Sequence, residues 1–575
     1  MSTLEPDPRA AFLPRSPLTA LLRHPVVAAV LLAGVLHLLW ALFLATDGGD
    51  LAAQYAWTEF ADRNPDAAYN LSWYGGMHPV SYSVLTPYVM AALGVRTTAV
   101  LVGTASAGLF ARMLVRSGIE RPMTPALWGA FALWCDSASG RVTFAVGMFF
   151  ALAAAWLSYE DFGGRVLRAS GAAILGALAT MSSPVAGLFV EVVAVALFFT
   201  GRRKDAVSMA AGPVLVVGAT TVFFPFYGVQ PFSVGGALLP IAVSVPLVLW
   251  APKSWRPVRI AAAAYSLGVV LTLAVPSPVG SNVERLALLF GGALLLAAVG
   301  AGRLGRRRTA ALYLAFAVAA AWQVFKPVQD LVSTAPAAGW SSYAQPLVGE
   351  LGKLDADRGR VEVVSAQTHW EAAGLSPYVN LARGWNRQVD VERNPLFYQG
   401  TLTPAAYHDW LRRWAVGYVV LPKAVPDNAA VAEAALVSKG QPWLAPIWHD
   451  THWRVYRVTD PLPMAAAPST VLKAGASVLS VRVPKAGPVL VRVTWSPWLD
   501  VLSGGQGCLE QDGEWTLLRA DGPGVFHIGA RYRLPRGTPC AAKPVKAEQP
   551  APPANPLPSR TPASAHPTPS TSSQD

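Results

Sequence analysis

The sequence predicts a polytopic α-helical membrane protein: about eleven spans, then an extracytoplasmic α/β unit and a β-sandwich. Three observations carry this. The 575 residues are 53% hydrophobic and only 14% charged, whereas a soluble domain carries about a quarter charged residues. The deficit is confined to residues 25–326, which read as one apolar run after another. Within that region the Lys and Arg residues sit in short clusters between runs, alternately dense and sparse.

The first run, 25–45, is long enough to cross about 30 Å of hydrocarbon. It is longer than a signal-peptide core and lacks a clear small-x-small site after it, so a retained helix is expected. Further runs fall near 97–115, 122–137, 142–158, 169–182, 184–200, 206–225, 234–250, 258–275, 284–302 and 309–326. The break at Ser182-Ser183-Pro184 fits either a tight turn or a kink in one long helix.

Charge sets the expected direction. With residues 1–24 in the cytoplasm and sides alternating, 18 of the 22 Lys and Arg of residues 1–325 fall inside. Only Arg63, Arg96, Arg141 and Arg285 fall outside. This asymmetry predicts a plasma-membrane protein with an odd number of spans, a cytoplasmic N-terminus and an extracytoplasmic C-terminus. The net charge of +12 is thus a topology signal, and no nucleic-acid partner is expected.

Between the first two spans lies a long outer loop, 46–96, rich in aromatic and acidic residues. It is expected to hold interfacial helices, with Trp57, Trp73, Tyr74, Tyr82 and Tyr88 at headgroup level. Residues 327–465 mix helical and strand signals. Val361–Ala366, Gly417–Leu421 and Trp453–Val458 are strand-like, and Ala405–Trp414 is helix-like. Residues 466–540 alternate with period two between turn clusters such as SGGQG and DGPG, the pattern of an antiparallel sandwich. Residues 541–575 are rich in Pro, Ala and Ser and are expected to be disordered. Cys135 lies in an apolar run. Cys508 and Cys540 lie in the outer half, where they are free either to pair or to stay separate.

Outer-face acids and arginines are scarce, so each is a candidate. Asp47-Gly48-Gly49-Asp50 follows the first span, and Asp47 or Asp50 fits a general base, a metal ligand or simply a solvated loop start. His78, in Gly75-Gly76-Met77-His78-Pro79, fits a structural histidine, as lone histidines more often are, or a phosphate or hydroxyl ligand. Asp136 and Arg141 bracket the second outer turn. They fit either a simple pair or a phosphate-binding arginine with its counter-ion. Arg285 opens a span from the outside, against the inside-positive trend, as an interfacial anchor or an anion clamp. Carboxylates, a histidine and two arginines on one face of a membrane bundle suit a lipid-phosphate substrate. Its chain lies in the bilayer, its phosphate meets arginine, and a carboxylate deprotonates the nucleophile. The chain contains no P-loop, HExxH, CxxC or GxSxG motif.

This layout resembles the GT-C superfamily of membrane glycosyltransferases, which use polyprenyl-phosphate-linked sugars outside the cytoplasm. The resemblance spans roughly residues 25–460 in architecture and rests on short motifs in sequence. Asp47 or Asp50 is similar to the family's first-loop acid. Gly76-Met77-His78-Pro79 with Ala91-Ala92-Leu93-Gly94 is similar to its segment before the second span. Tyr418–Pro422 and Trp453–Tyr456 resemble parts of its small outer domain. The paired-acid signature is only loosely matched, and Asp136 has no second acid beside it. The resemblance implies inverting transfer from a polyprenyl-phosphate sugar donor to a cell-envelope glycan acceptor. Asp50 (or Asp47) would be the base, and Arg141, Arg285 and His78 would hold the lipid phosphate. It admits a divalent metal without requiring one, and implies no other cofactor. Trp495 and Trp498 would be placed to stack on sugar rings or to pack in the core. Two other readings compete. A multi-pass transporter would show internal repeats and mid-membrane charges, which are not evident here. Nothing in the sequence excludes a non-catalytic envelope scaffold or polysaccharide-assembly protein.

Overall fold

Each of the eleven apolar runs is helical in the computed structural model, which describes residues 21–46, 48–160, 163–301, 305–334 and 340–541. Asp47, most of the 1–24 segment and residues 542–575 therefore lie outside the described residues. Among the described residues six helices are long and apolar enough to cross a membrane: Pro25–Leu44, Val95–Arg116, Arg203–Phe223, Arg256–Ala274, Gly280–Gly300 and Arg306–Thr334. Val142–Leu157, Pro184–Phe199 and Val234–Trp250 are apolar but shorter. Met123–Ala138 and Arg165–Ser182 complete the set. Phe43, Leu215 and Leu314 point outward from these helices, a surface compatible with lipid.

The Ser183 break is a turn between two helices. Ser183 is extended (φ −152°, ψ 119°), and Pro184 opens the next helix at a position where its missing N–H costs nothing. The far ends of both helices return to the same corner. Arg168 Nη1 donates to the Glu160 carbonyl, and Arg202 Nη2 donates to that of Ser158. Arg112 pairs with Glu160 there at 2.9 Å. The basic clusters thus gather at one end of these helices, while Asp50 and Arg141 meet at the other.

The last bundle helix departs from the expected boundary. The apolar run stops at 326, but the helix continues to Thr334. Lys326 and Asp330 pair across one turn at 2.7 Å and stabilise the polar extension. Hydropathy cannot see such a continuation, and it delivers several residues to the site described below.

Beyond it, five strands form a mixed sheet in the order β2-β1-β3-β5-β4. They are β1 (Arg360–Val363), β2 (Asn380–Leu381), β3 (Val416–Pro422), β4 (Leu444–His449) and β5 (Trp453–Val458). β1 runs parallel to β2 and β3, and β5 runs antiparallel to β3 and β4. Pro446 lacks a donor, and it sits in β4, an edge strand where that loss is tolerated. The C-terminal β region follows. β6 (Thr470–Ala474), β7 (Val478–Val483), β9 (Asp500–Gly504) and β12 (Gly524–Gly529) form one antiparallel sheet, ordered β6-β7-β12-β9. β8 (Gly487–Thr494), β10 (Gly507–Asp512) and β11 (Trp515–Ala520) form another, ordered β10-β11-β8. Val481, Val491, Leu509, Leu518 and Phe526 from the two sheets share one core.

The long loop 46–96 does contain helices, Asp50–Arg63 and Thr86–Leu93. Three of the aromatics expected at headgroup level, Trp57, Trp73 and Tyr74, face protein instead. Trp57, Trp73 and Tyr74 are buried against Leu347, Val361, Val420 and Trp453 of the outer sheet unit. Trp57 meets Trp73 edge-on at 5.3 Å and stacks on Tyr82 at 5.6 Å. Tyr74 Oη donates to the Gly384 carbonyl at 2.8 Å. The loop is therefore a cemented layer between bundle and sheet, and Trp57, Trp73 and Tyr74 fill protein core.

A compact unit runs to Pro539, and of the second unit, Cys540–Asp575, residues 540 and 541 are described. Cys508 and Cys540 are both disulfide-bonded, whereas Cys135 is a free, buried thiol.

Candidate functional site

Asp50 is placed by the glycine before it. Gly49 has φ 62° and ψ −137°, a region that residues with a Cβ avoid. A Cβ there would also stand 2.5 Å from Thr334 Cγ2. The Gly49 N–H donates to the Thr368 carbonyl at 2.5 Å, and its own carbonyl accepts from Trp385 Nε1 at 2.9 Å. Asp50 then opens the helix Asp50–Arg63, whose positive end favours a carboxylate. One turn on, buried Gln54 donates to the Gly140 carbonyl and accepts from the Thr143 N–H at 3.1 Å. Gln54 thus staples the loop helix to the turn that carries Arg141.

That turn is a Schellman cap. Gly140 (φ 75°) donates to the Ser137 carbonyl at 2.8 Å, and the Arg141 N–H donates to that of Asp136 at 3.3 Å. The chain reverses and lays Arg141 back over Asp136. Arg141 then faces three carboxylates: Asp50 at 3.6 Å, Asp136 at 3.7 Å and Asp330 at 3.4 Å. The side chains of Arg141 and Asp136 are 11% and 6% exposed, that of Asp50 41%. Asp50 is the member open to a ligand.

Two cavities meet here. One, of about 640 Å³, is lined by Asp50, Arg141, Arg285 and Lys326, and also by Phe144, Pro184, Val185, Phe224 and Leu288 from the bundle side. One helical turn further along the same helices, Met148 and Phe189 line an apolar cavity of about 250 Å³. The other polar cavity, of about 400 Å³, lies between the loop start, the end of the last bundle helix and the outer sheet unit. Asp50, Arg141, Lys326, Trp385 and Arg387 border both polar cavities.

Arg285 differs from its neighbours. Among the described residues no carboxylate is within ion-pair reach of it; its guanidinium lies over the Phe144 ring at 4.9 Å. Asp136 and Asp50 act on it from beyond ion-pair reach, so it is a partly buried cation on a cavity wall with no direct carboxylate partner.

His78 is elsewhere. It is buried, with Nδ1 on the Ala68 carbonyl at 2.6 Å and Nε2 on Ser496 Oγ at 2.9 Å. Tyr69 and Phe224 pack against its ring. Burial holds its pKa down to about 4. Both nitrogens are engaged and it lines neither polar cavity, so it ties the loop to the β region. Trp498 likewise stacks on Phe224 at 4.8 Å and donates to the Phe223 carbonyl, leaving that ring face closed to a sugar.

The outer sheet unit supplies residues that sequence reasoning missed. Arg387 grips Asp427 through two bonds, at 3.1 and 2.9 Å. His369 stands 3.3 Å from Asp427 and stacks on Trp385 at 3.4 Å. Burial pushes the His369 pKa down, while its hydrogen bond to His369 and that to Arg387 hold Asp427 well below the usual carboxylate range. Behind them Arg383 binds Asp390 at 2.9 Å and Glu433 at 2.9 Å, with Glu362 at 3.5 Å. No short motif announces these residues, since they come from separate segments of the sheet unit. Among the described residues no group of three or more His, Cys, Asp or Glu could hold a metal ion.

A family model described as a domain of unknown function (DUF8823) matches residues 466–546. That segment covers the C-terminal β region and contributes none of the cavity-lining residues named above. No curated protein matches the chain.

Proposed function

We propose that this protein is a plasma-membrane glycosyltransferase of the GT-C kind, with eleven spans, a cytoplasmic N-terminus and its polar cavities on the outer face. It moves a sugar from a polyprenyl-phosphate donor to a cell-envelope acceptor. The observation that carries this reading is Arg285: among the described residues it has no direct carboxylate partner, and it lines an amphipathic cavity that it shares with Asp50 and Arg141. An anionic headgroup satisfies Arg285, and the apolar wall and the cavity one turn beyond suit an isoprenoid chain.

In this reading Asp50 takes the proton of the acceptor hydroxyl as its oxygen attacks the anomeric carbon. The bond from that carbon to the phosphate oxygen breaks, and the lipid phosphate leaves with the electron pair. Arg285 and Arg141 stabilise the charge that develops on it. Attack opposite the leaving group inverts the anomeric centre.

The test is binding of undecaprenyl phosphate against undecaprenol by native mass spectrometry on the purified full chain. The phosphate form should bind more tightly, and Arg285→Gln should weaken it by roughly tenfold or more, the worth of one charge-assisted hydrogen bond. Equal binding of alcohol and phosphate would defeat the proposal.

A further inference from the structure

We infer that the 400 Å³ cavity binds the neutral, hydroxyl-rich end of a glycan, and that the outer sheet unit sets its specificity. The inference rests on the transfer reading above and adds the acceptor's chemistry to it.

Charge decides the ligand class. The cations on this cavity are Arg141, Lys326 and Arg387, and each already faces a carboxylate: Asp50, Asp136 and Asp330 for Arg141, Asp330 for Lys326, Asp427 for Arg387. Among the described residues no cation on this cavity lacks a carboxylate partner, in contrast to Arg285 on the neighbouring cavity. A neutral ligand disturbs none of these pairs, whereas an anion would have to break one.

Hydrogen-bonding capacity points the same way. Gln329, Gln367 and Asn428 line the cavity and are exposed. No side-chain hydrogen bond engages their amide heads among the described residues. Each primary amide donates and accepts side by side, which matches a pair of adjacent hydroxyls. Gln367 and Asn428 belong to the sheet unit, Gln329 to the last bundle helix, and Asp50 stands at the border with the donor side. A sugar hydroxyl entering from this cavity therefore meets the base directly.

The experiment is saturation-transfer NMR on the full chain in detergent micelles. The probes are the methyl glycosides of mannose, galactose, glucose and arabinose, with glucose 6-phosphate as the anionic comparison. At least one neutral glycoside should bind, and glucose 6-phosphate should bind more weakly than methyl glucoside. The double variant Gln367→Leu with Asn428→Leu, altered only at exposed positions, should weaken glycoside binding by about tenfold and leave undecaprenyl phosphate binding unchanged. Tighter binding of the phosphorylated sugar would overturn the inference. So would undecaprenyl phosphate binding with no glycoside bound, an outcome that spares the donor reading. Glycoside binding without lipid-phosphate binding would keep this site and sink the transfer reading.

Discussion

Replacing Gly49 by alanine perturbs the site without touching a charge. Two costs arise. At φ 62° and ψ −137° an alanine is strained by roughly 1–3 kcal/mol. Its Cβ would also press on Thr334 Cγ2 from 2.5 Å, an overpacking cost of about 1–3 kcal/mol. The loop cannot relax freely, because Gly49 is held on both sides by Thr368 and Trp385. Gly49→Ala should therefore lose roughly 2–6 kcal/mol of apparent stability, read by denaturant titration in micelles. Thr334→Ser removes the offending methyl and keeps the hydroxyl that bonds Thr46 at 2.9 Å. Added to Gly49→Ala, it should recover the overpacking part and leave the backbone strain. A double-mutant cycle with no coupling between the two positions would refute this account of how Asp50 is placed.

Two further outcomes follow from the outer sheet unit. Arg383→Met leaves Asp390, Glu362 and Glu433 buried without their cation and should cost about 3–5 kcal/mol; Arg383→Lys should rescue little, because Asp390 is held through two guanidinium nitrogens. Glu371 is buried, with one carboxyl oxygen unbonded, and burial pushes its pKa up to about 8. The folded state thus keeps a proton that the unfolded chain releases near the ordinary value of about 4.5. Its contribution is complete below that pH and is lost as pH rises to about 8, by up to about 5 kcal/mol. Glu371→Gln should flatten the slope of thermal midpoint against pH across that window, and an unchanged slope would show that the carboxyl is ionised throughout.

What the sequence revealed depended on the length scale of the signal. Eleven runs longer than a dozen apolar residues announce eleven helices, and strong alternation announces β7, β8, β11 and β12. β4 is hidden because Pro446 and the edge position break the pattern, and β2 is only two residues long. The loop aromatics misled for a physical reason: Trp and Tyr suit both a headgroup belt and a protein core, and composition cannot separate the two. Asp50, Asp136, Arg141 and Arg285 were legible because charge is rare on that face, so each stood out without any motif. His78 stood out equally and proved to be a buried tie between loop and β region. Lys326, Asp330, Trp385, Arg387 and Asp427 were not legible. Their role depends on a helix continuing past its apolar stretch and on a sheet folding back over the loop, and neither leaves a local trace.

The geometry around Arg141 carries a consequence for ligand binding. Its ion pairs, at 3.4–3.7 Å, are longer than the 2.7–2.9 Å of a charge-assisted hydrogen bond. Arg141 is divided among three carboxylates and fully committed to none. An anion that enters beside Arg285 must compete with Asp50, the most exposed of the three, for the same guanidinium. Two like charges about 6 Å apart repel by roughly 1–3 kcal/mol in a partly buried site. Removing the charge alone, as Asp50→Asn does, should therefore tighten undecaprenyl phosphate binding by roughly fivefold or more, even as it abolishes transfer of sugar to envelope glycan. Binding weakened by Asp50→Asn would mean that Asp50 supports the headgroup instead of competing with it. Asp50 would then be no free base, and the division of labour between Asp50 and the two arginines would fail. Tightened binding has the opposite meaning. The arriving lipid phosphate would itself loosen Asp50 from Arg141, and so free the carboxylate only when a donor is in place.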